Sequence, residues 1–348
     1  MNEPIELEIN SESRVPKYQQ IINSIIRDIE FGNLKVGQKI PSINEISEEY
    51  YLSRDTVEKA YKQLKEKKII VSAKGKGYYV ARTLPQSGIK VLFLLNKLSS
   101  YKMMIYNSFI NSMDNDARID LKIYHCDEKL FRNIMEENMG AYDYYVIMPH
   151  FIDKDDGHRN YTPDAIKILK QIPVDKLLLL DNNIDDLLLE FAAVYQDFKH
   201  DIYEALKEGM SALKKYAKLI LIFPKKVVYP YPTEILQGFR MFCVENDFDF
   251  EILDEVYSEM ELHERDAFIV IEENDLVNLV KQIRDSNFKL GKDIGLISYN
   301  DTPLKDLLGI TCVSTNFKLM GETAAYMIKK KKVEKVKNAF GLIYRDSL

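Results

Sequence analysis

Ser53, Arg54 and Thr56 head a helical pattern and bring a guanidinium, two hydroxyls and free first-turn amides to one place, a set suited to meeting phosphates and base edges. Val57, Ala60, Tyr61 and Leu64 follow at i, i+3, i+4 and i+7, the seam by which such a helix docks on a small core. Ser53 occupies the N-cap position, which leaves Arg54, Asp55 and Thr56 exposed. Further on, Ile69-Ile70-Val71 and Tyr78-Tyr79-Val80 flank Lys74-Gly75-Lys76-Gly77, a two-stranded ribbon with a glycine turn and lysines at its tip.

Positioning that turn requires a scaffold. Pro41-Ser42-Ile43-Asn44-Glu45-Ile46 reads as an earlier helix start, with Ser42 and Glu45 at capping-box spacing and Pro41 and Ile46 placed as a staple. Two short helices joined by the turn at 50–52 make a helix-turn-helix, and the ribbon turns it into a winged helix. Before them, Ile21, Ile22, Ile25, Ile26 and Ile29 form one helical stripe from Tyr18 to Phe31, with Gly32 suited to the position after its end. Ile5-Glu6-Leu7-Glu8-Ile9 alternates like a short strand. Between Tyr50 and Val80 there are eight basic residues (Arg54, Lys59, Lys62, Lys65, Lys67, Lys68, Lys74, Lys76) against three acidic ones (Asp55, Glu58, Glu66), whereas residues 1–49 are net acidic. Charge alone favours a solvated helix face beside a hairpin. Caps, spacing and wing together favour a phosphate-facing surface.

Val15-Pro16-Lys17-Tyr18-Gln19-Gln20-Ile21, Phe31-Gly32-Asn33-Leu34-Lys35-Val36-Gly37-Gln38-Lys39-Ile40-Pro41-Ser42, Leu52-Ser53-Arg54-Asp55-Thr56-Val57 and Gly75-Lys76-Gly77-Tyr78-Tyr79-Val80 resemble the GntR-type DNA-binding domain from end to end. The resemblance implies base or phosphate contacts by Arg54 and Thr56, and backbone or minor-groove contacts by the Lys76 wing. The candidate DNA-contacting residues are Ser42, Asn44, Ser53, Arg54, Thr56, Lys59, Lys74, Lys76 and Gly77. Asn44 stands where the family commonly carries an arginine.

After Val80 the periodicity stops. Residues 81–88 hold Pro, Ser and Gly and read as a linker between a winged helix-turn-helix at 1–80 and a second domain at 89–348. In that second part, strand candidates at 91–95, 119–124, 144–148, 177–180, 219–223, 250–253, 268–271 and 295–298 alternate with helix candidates near 102–114, 128–138, 163–171, 198–215, 233–246 and 274–286. Such alternation predicts an α/β fold of parallel sheets covered by helices. The length favours two lobes, with a ligand crevice at the carboxyl ends of the strands.

Val194-Tyr195-Gln196-Asp197-Phe198, Glu234-Ile235-Leu236-Gln237-Gly238-Phe239, the stretch from Gly295 to Leu304, Ile310-Thr311-Cys312-Val313-Ser314-Thr315, Met320-Gly321 and Leu342-Ile343-Tyr344-Arg345-Asp346-Ser347 resemble the effector domain of lactose-repressor-type regulators. That domain has the periplasmic sugar-binding-protein fold (type I), and its union with a GntR-type head resembles arabinose-repressor-type regulators. The implied function is repression of carbohydrate-utilisation genes by a cytoplasmic homodimer that binds operator DNA and responds to a small sugar, of the L-arabinose or L-fucose kind. Sugar sites pair polar side chains with aromatic faces. The candidates at the strand ends are Asn96, Lys97, His150, Phe151, Asp197, Tyr231, Glu234, Asn274, Asn300 and Asp301, beside Asp181, Asn182, Tyr229, Glu273 and Asp275. Ile235 stands where the family usually supplies an arginine about three residues before Gly238. A capping or core role is the bland alternative for each. A sugar-binding module or enzyme without DNA function, or a regulator with a nucleotide-like effector, are the competing readings.

Composition excludes several other classes. The chain has 348 residues, 46% apolar, enough for more than one core, and its net charge of −6 argues against indiscriminate nucleic-acid binding by its bulk. Cys126, Cys243 and Cys312 are too dispersed for a disulfide framework or a metal site and read as reduced core thiols. No apolar run approaches ~18 residues and no charged-then-apolar leader is present, so neither membrane span nor export is expected. Gly75-Lys76-Gly77 is too short for a dinucleotide fingerprint, residues 153–157 miss the register of a calcium loop, and His263-Glu264 lacks a second histidine. No cofactor or metal is expected. The lysines at 329–332, 335 and 337 read as the solvated end of the last helix.

Overall fold

The isoleucine stripe builds the first element of the chain. In the computed structural model, Ile21, Ile22 and Ile25 are wholly buried and Ile29 nearly so, each burial worth roughly 1.5–3 kcal/mol, on a helix α1 (Lys17–Glu30). The structure describes residues 15–30, 33–73, 75–81, 88–152, 157–184, 190–225 and 227–348, with Leu7, Ile9, Ser13 and Leu187 besides. The expected strand at 5–9, Gly32, Lys74, most of the linker and residues 153–156 lie outside the described residues. The chain divides into two compact units, Met1–Gly88 and Ile89–Leu348.

In the first unit, β1 (Lys39–Ile40), α2 (Ile43–Glu49), α3 (Arg54–Glu66), β2 (Ile70–Ala73) and β3 (Gly77–Val80) follow α1. The strands form one antiparallel sheet in the order β1-β3-β2. Val57, Ala60, Tyr61 and Leu64 bury the inner face of α3 against α1, and the Tyr61 hydroxyl donates to the Pro41 carbonyl at 2.6 Å, tying α3 to the start of α2. The turn between α2 and α3 places Tyr51 at a φ of 52°.

In the second unit the first lobe contains β4 (Lys90–Leu95), α4 (Ser100–Ser112), β5 (Arg118–Ile123), α5 (Glu128–Asn138), β6 (Tyr144–Ile147), a small ribbon of β7 (Phe151–Ile152) and β8 (His158–Arg159), α6 (Pro163–Leu169), β9 (Leu177–Asp181) and β10 (Ala192–Tyr195). The second lobe contains α7 (Phe198–Glu208), α8 (Met210–Leu213), β11 (Lys218–Ile222), α9 (Thr233–Glu245), β12 (Asp249–Leu253), β13 (Asp266–Val270), α10 (Glu273–Asp285), β14 (Gly295–Tyr299), α11 (Pro303–Leu307) and β15 (Thr311–Thr315). The chain then returns to the first lobe as α12 (Phe317–Lys329) and β16 (Lys335–Lys337), and ends in the second as β17 (Phe340–Ile343).

The two sheets run β16-β10-β9-β6-β4-β5, all parallel, and β12-β11-β13-β14-β15-β17, parallel except for β17. Among the described residues no helix is long and apolar enough to cross a membrane. Relative to the expected elements, β7, β8, β10, α11, β15, β17 and the body of α12 are additional, and the helix expected over 198–215 breaks at Gly209. The lysines at 335 and 337, expected at the end of the last helix, lie instead in the strand β16 because α12 ends at Lys329. β16 pairs only along one side, and its Lys-Val-Lys sequence carries no apolar run to reveal it.

Three crossings between lobes lie side by side. Asn338 donates its backbone amide to the Tyr195 carbonyl at 2.7 Å and its side-chain amide to the Asn316 carbonyl at 3.1 Å, so the segments after β10, β15 and β16 are tied into one hinge. Gly321 is needed where α12 meets α4: an added Cβ would lie 2.3 Å from the Ile105 carbonyl oxygen. Gly238 plays the same part between α9 and α7, where a Cβ would lie 2.1 Å from the Lys199 carbonyl oxygen.

Candidate functional sites

At the head of α3 the Ser53 side chain accepts from the Thr56 amide at 3.2 Å and bonds the Thr56 hydroxyl at 2.7 Å. Arg54 is exposed on the first turn. At α2, Ser42 and Glu45 form a reciprocal capping box. The Ser42 backbone, followed by its hydroxyl, holds the Glu45 carboxyl below its usual range. Asn44 is exposed beside it. Lys76 is exposed at the ribbon tip, between Gly75 at φ +73° and Gly77 at φ +109°. Lys59 is committed elsewhere: its ammonium lies 4.0 Å from the centre of the Tyr18 ring on α1. The surface therefore offers Arg54, the capped hydroxyls, Asn44 and Lys76 on one unit, while the inner face of α3 is wholly used in packing.

The second unit holds a cavity of about 400 Å³ between its lobes. Of the residues expected at an effector site, Asn96, Lys97, His150, Tyr231, Asn274 and Asn300 line it, together with Asp181, Tyr229 and Glu273. Four others do not. Phe151 is fully buried against Tyr124 and Phe131, because its ribbon folds back under α5. Asp197 caps α7, accepting from the His200 amide at 3.3 Å and the His200 ring at 2.8 Å. Glu234 lies in the first turn of α9 away from the cavity, with Oε2 buried and unpartnered. Asp301 is gripped by both terminal nitrogens of Arg345 at 2.9 and 3.0 Å. Burial opposes its ionisation, but that fork holds its carboxyl below the usual range.

The cavity floor is a buried charge network. Asp181, 3% exposed, ends β9 in a left-handed conformation (φ 72°), which an aspartate tolerates. It takes an ion pair from Lys102, a hydrogen bond from Gln196, and contact with His150 Nε2 at 2.8 Å. Burial pushes its carboxyl up, yet the Lys102 ammonium and His150 outweigh burial and hold it far below the ordinary range. His150 Nδ1 meets His158 Nε2 at 2.7 Å. Burial lowers both rings, His158 to about 3, so this pair is neutral near pH 7. Gln196 is also bonded by the Thr315 hydroxyl, which connects the floor to the hinge.

The walls are aromatic: Tyr101 stacks on Phe317 at 5.1 Å, and Tyr229, Tyr231, Phe198 and Tyr299 complete them. Tyr231 donates to Glu272, and Tyr101 reaches across the lobes to Glu273 at 3.3 Å. Tyr101, Lys102, Gln196, Phe198, Glu272 and Phe317 escaped sequence reasoning. The signal for Lys102 was available, since a lysine falls on the inward face of a helix that opens directly after a buried strand. Among the described residues no group of three or more His, Cys, Asp or Glu could hold a metal ion.

Comparison with known proteins agrees with both halves. The model of the gntR family of bacterial regulatory proteins matches residues 17–80. The HTH-type transcriptional repressor YtrA of Bacillus subtilis is 35% identical over 75 residues, covering 22% of this chain and 58% of that protein. The arabinose metabolism transcriptional repressor of Geobacillus stearothermophilus is 33% identical over 78 residues, covering 22% of this chain and 21% of its own length. The chain thus spans less than two thirds of either relative. Among solved structures, the lac repressor dimer bound to operator and an anti-inducer aligns with a TM-score of 0.58 at 14% identity, over 76% of this chain and 95% of that one. A periplasmic binding protein/LacI transcriptional regulator from Alkaliphilus metalliredigens, complexed with D-xylulofuranose, aligns at 0.53 and 12% identity, over 75% of this chain and 99% of that one. Identities this low speak for the fold alone. Residues 17–80 are a DNA-binding domain of the gntR family of bacterial regulatory proteins, and the chain joins it to a two-lobed α/β domain with the fold of the lactose repressor.

Proposed function

We propose that this protein is a transcription repressor of carbohydrate-utilisation genes that binds operator DNA as a homodimer and is released from it by a small sugar. One observation carries the reading: a single chain unites an exposed, capped helix start bearing Arg54 with a cleft whose buried floor is hydrogen-bonding and whose walls are aromatic. In this reading Arg54 contacts a guanine edge, Thr56 and Ser53 meet phosphates with Asn44 and Ser42 beside them, and Lys76 acts through phosphate charge. Lys59 contributes from its seat over Tyr18, Lys74 adds phosphate-directed charge, and Gly77 shapes the wing. Two such units reach major-groove half-sites about 34 Å apart or a multiple of that distance.

The effector occupies the cavity, with Asp181, Gln196 and Asn96 bonding hydroxyls and Tyr231 and Phe317 covering C–H faces. Such a ligand alters operator affinity only by its differential affinity for two lobe arrangements, and a tenfold effect corresponds to about 1.4 kcal/mol. The Geobacillus relative's part in arabinose metabolism makes a sugar of pentose or deoxyhexose size the first effector to test. A gel-shift on the DNA upstream of the protein's own gene tests this. A retarded band that specific sugars abolish is expected, whereas no binding to that DNA with or without sugar refutes it.

A further inference from the structure

Lys97 brings a positive charge to the cavity with only aromatic rings against it. Its side chain, half-buried, lines the cavity just beyond β4, and among the described residues its ammonium makes no hydrogen bond and no ion pair, lying 5.3 Å from the centres of the Tyr229 and Tyr231 rings. An ammonium carries three donors, and charges withdrawn from water are ordinarily paired. The neighbouring Lys102 differs, because Asp181 already neutralises it. The first turn of α4 also opens on the cavity through Ser99, Ser100 and Tyr101. The amides at the start of this 13-residue helix add positive potential beside Lys97. Two further polar atoms there are buried and unpartnered: Asn96 Oδ1, on a residue 3% exposed, and the Tyr299 hydroxyl, on a residue 5% exposed.

The carboxylates on the opposite lobe, of which Glu272 acts on Lys97 through space, are each held by a tyrosine instead of by the ammonium. Glu272 and Glu273 sit at the start of α10, whose positive end they offset, each accepts a tyrosine hydroxyl, and Glu273 is exposed to solvent.

We propose that the effector is an acidic sugar, whose carboxylate or phosphate takes the Lys97 ammonium and the first-turn amides of α4 while its hydroxyls satisfy Asn96 and Tyr299. This deepens the sugar-regulator reading and rests on it. The anion pairs a half-buried cation that has no ion-pair partner among the described residues, which a neutral pentose leaves unpaired.

The test is thermal shift and calorimetry on the full chain with D-glucuronate, D-arabinonate, D-ribose 5-phosphate and D-glucose 6-phosphate, beside neutral L-arabinose, L-fucose and D-glucose. At least one acid should stabilise the protein, and Lys97→Gln should weaken that acid by tenfold or more while Lys97→Arg restores most of the binding. The carboxylate and phosphate members of the panel tell the two anions apart. Stabilisation by neutral sugars alone, by no acid at all, or by acids equally in wild type and Lys97→Gln overturns the proposal. A neutral sugar that still abolishes the gel-shift would leave the repressor reading standing while removing the acid. Unliganded Lys97→Gln should melt no lower than the wild type, because it removes an unpaired charge, and this separates lost recognition from lost folding.

Discussion

The two candidate sites are built in opposite ways. The DNA-facing surface is contiguous in sequence and turned outward: Ser53, Arg54 and Thr56 share one turn, and the cap that shapes it is local. The cleft is assembled from Lys102, His150, Asp181, Gln196 and Thr315, residues far apart along the chain that meet only when five segments have folded, and it is turned inward. An exposed site can lose a contact without disturbing its scaffold, whereas a buried one fuses recognition with stability.

The largest effect should come from breaking that fusion. Asp181→Ala leaves Lys102, 7% exposed, without its counter-ion, and removal of one partner from a buried pair costs about 3–5 kcal/mol. Denaturant unfolding should show a midpoint lowered accordingly. An unchanged midpoint would mean that water reaches the pair.

A pH scan sharpens the contrast next. Burial holds His150 and His158 below the ordinary histidine value, His158 at about 3. As pH falls from about 6.5 the unfolded chain takes up protons that the folded chain refuses, so stability declines progressively toward that lower value. Asp181, with its depressed carboxyl, contributes stability above about pH 3.9 that is lost as pH falls further through its folded value. Urea midpoints at pH 7 and pH 5 should therefore differ in the wild type, and His158→Asn should narrow the gap.

Arg54→Ala, on the outward site, should leave the melting temperature unaltered and reduce operator affinity by about 1–3 kcal/mol, with a smaller loss on unrelated DNA. Equal losses on both DNAs would restrict Arg54 to phosphate contact. The smallest effect is local to the first unit: Ser42→Ala removes the α2 capping box and should cost about 1 kcal/mol by thermal unfolding.

Legibility in the sequence follows the same division. The capped starts at Ser42 and Ser53, the i, i+3, i+4, i+7 seam and the glycine turn are short-range devices, and the structure places each as the residue pattern implies. The alternating strands and helices of the rear half were equally readable, because buried parallel strands are apolar runs such as Val91 to Leu95. What escaped were elements set by tertiary context. Lys335–Lys337 becomes a strand only because β10 offers an open edge, and α12 returns to the first lobe across a hinge that no local pattern marks. In the cleft, strand-end reasoning reached Asn96, Lys97 and Asn300 because loops after strands point at the crevice. It misjudged Asp301, whose carboxylate is taken by Arg345 from the far end of the chain, and overlooked Lys102, whose partner lies 79 residues away.

The claim that the inward site governs the outward one has a direct thermodynamic test. If a cleft ligand changes operator affinity by some factor, operator DNA must change the ligand's affinity by the same factor. Calorimetric titration of the effector into the protein alone and into its operator complex should give dissociation constants that differ by the factor seen in operator titrations with and without effector, at least tenfold. Identical effector affinities in the two titrations would contradict the account.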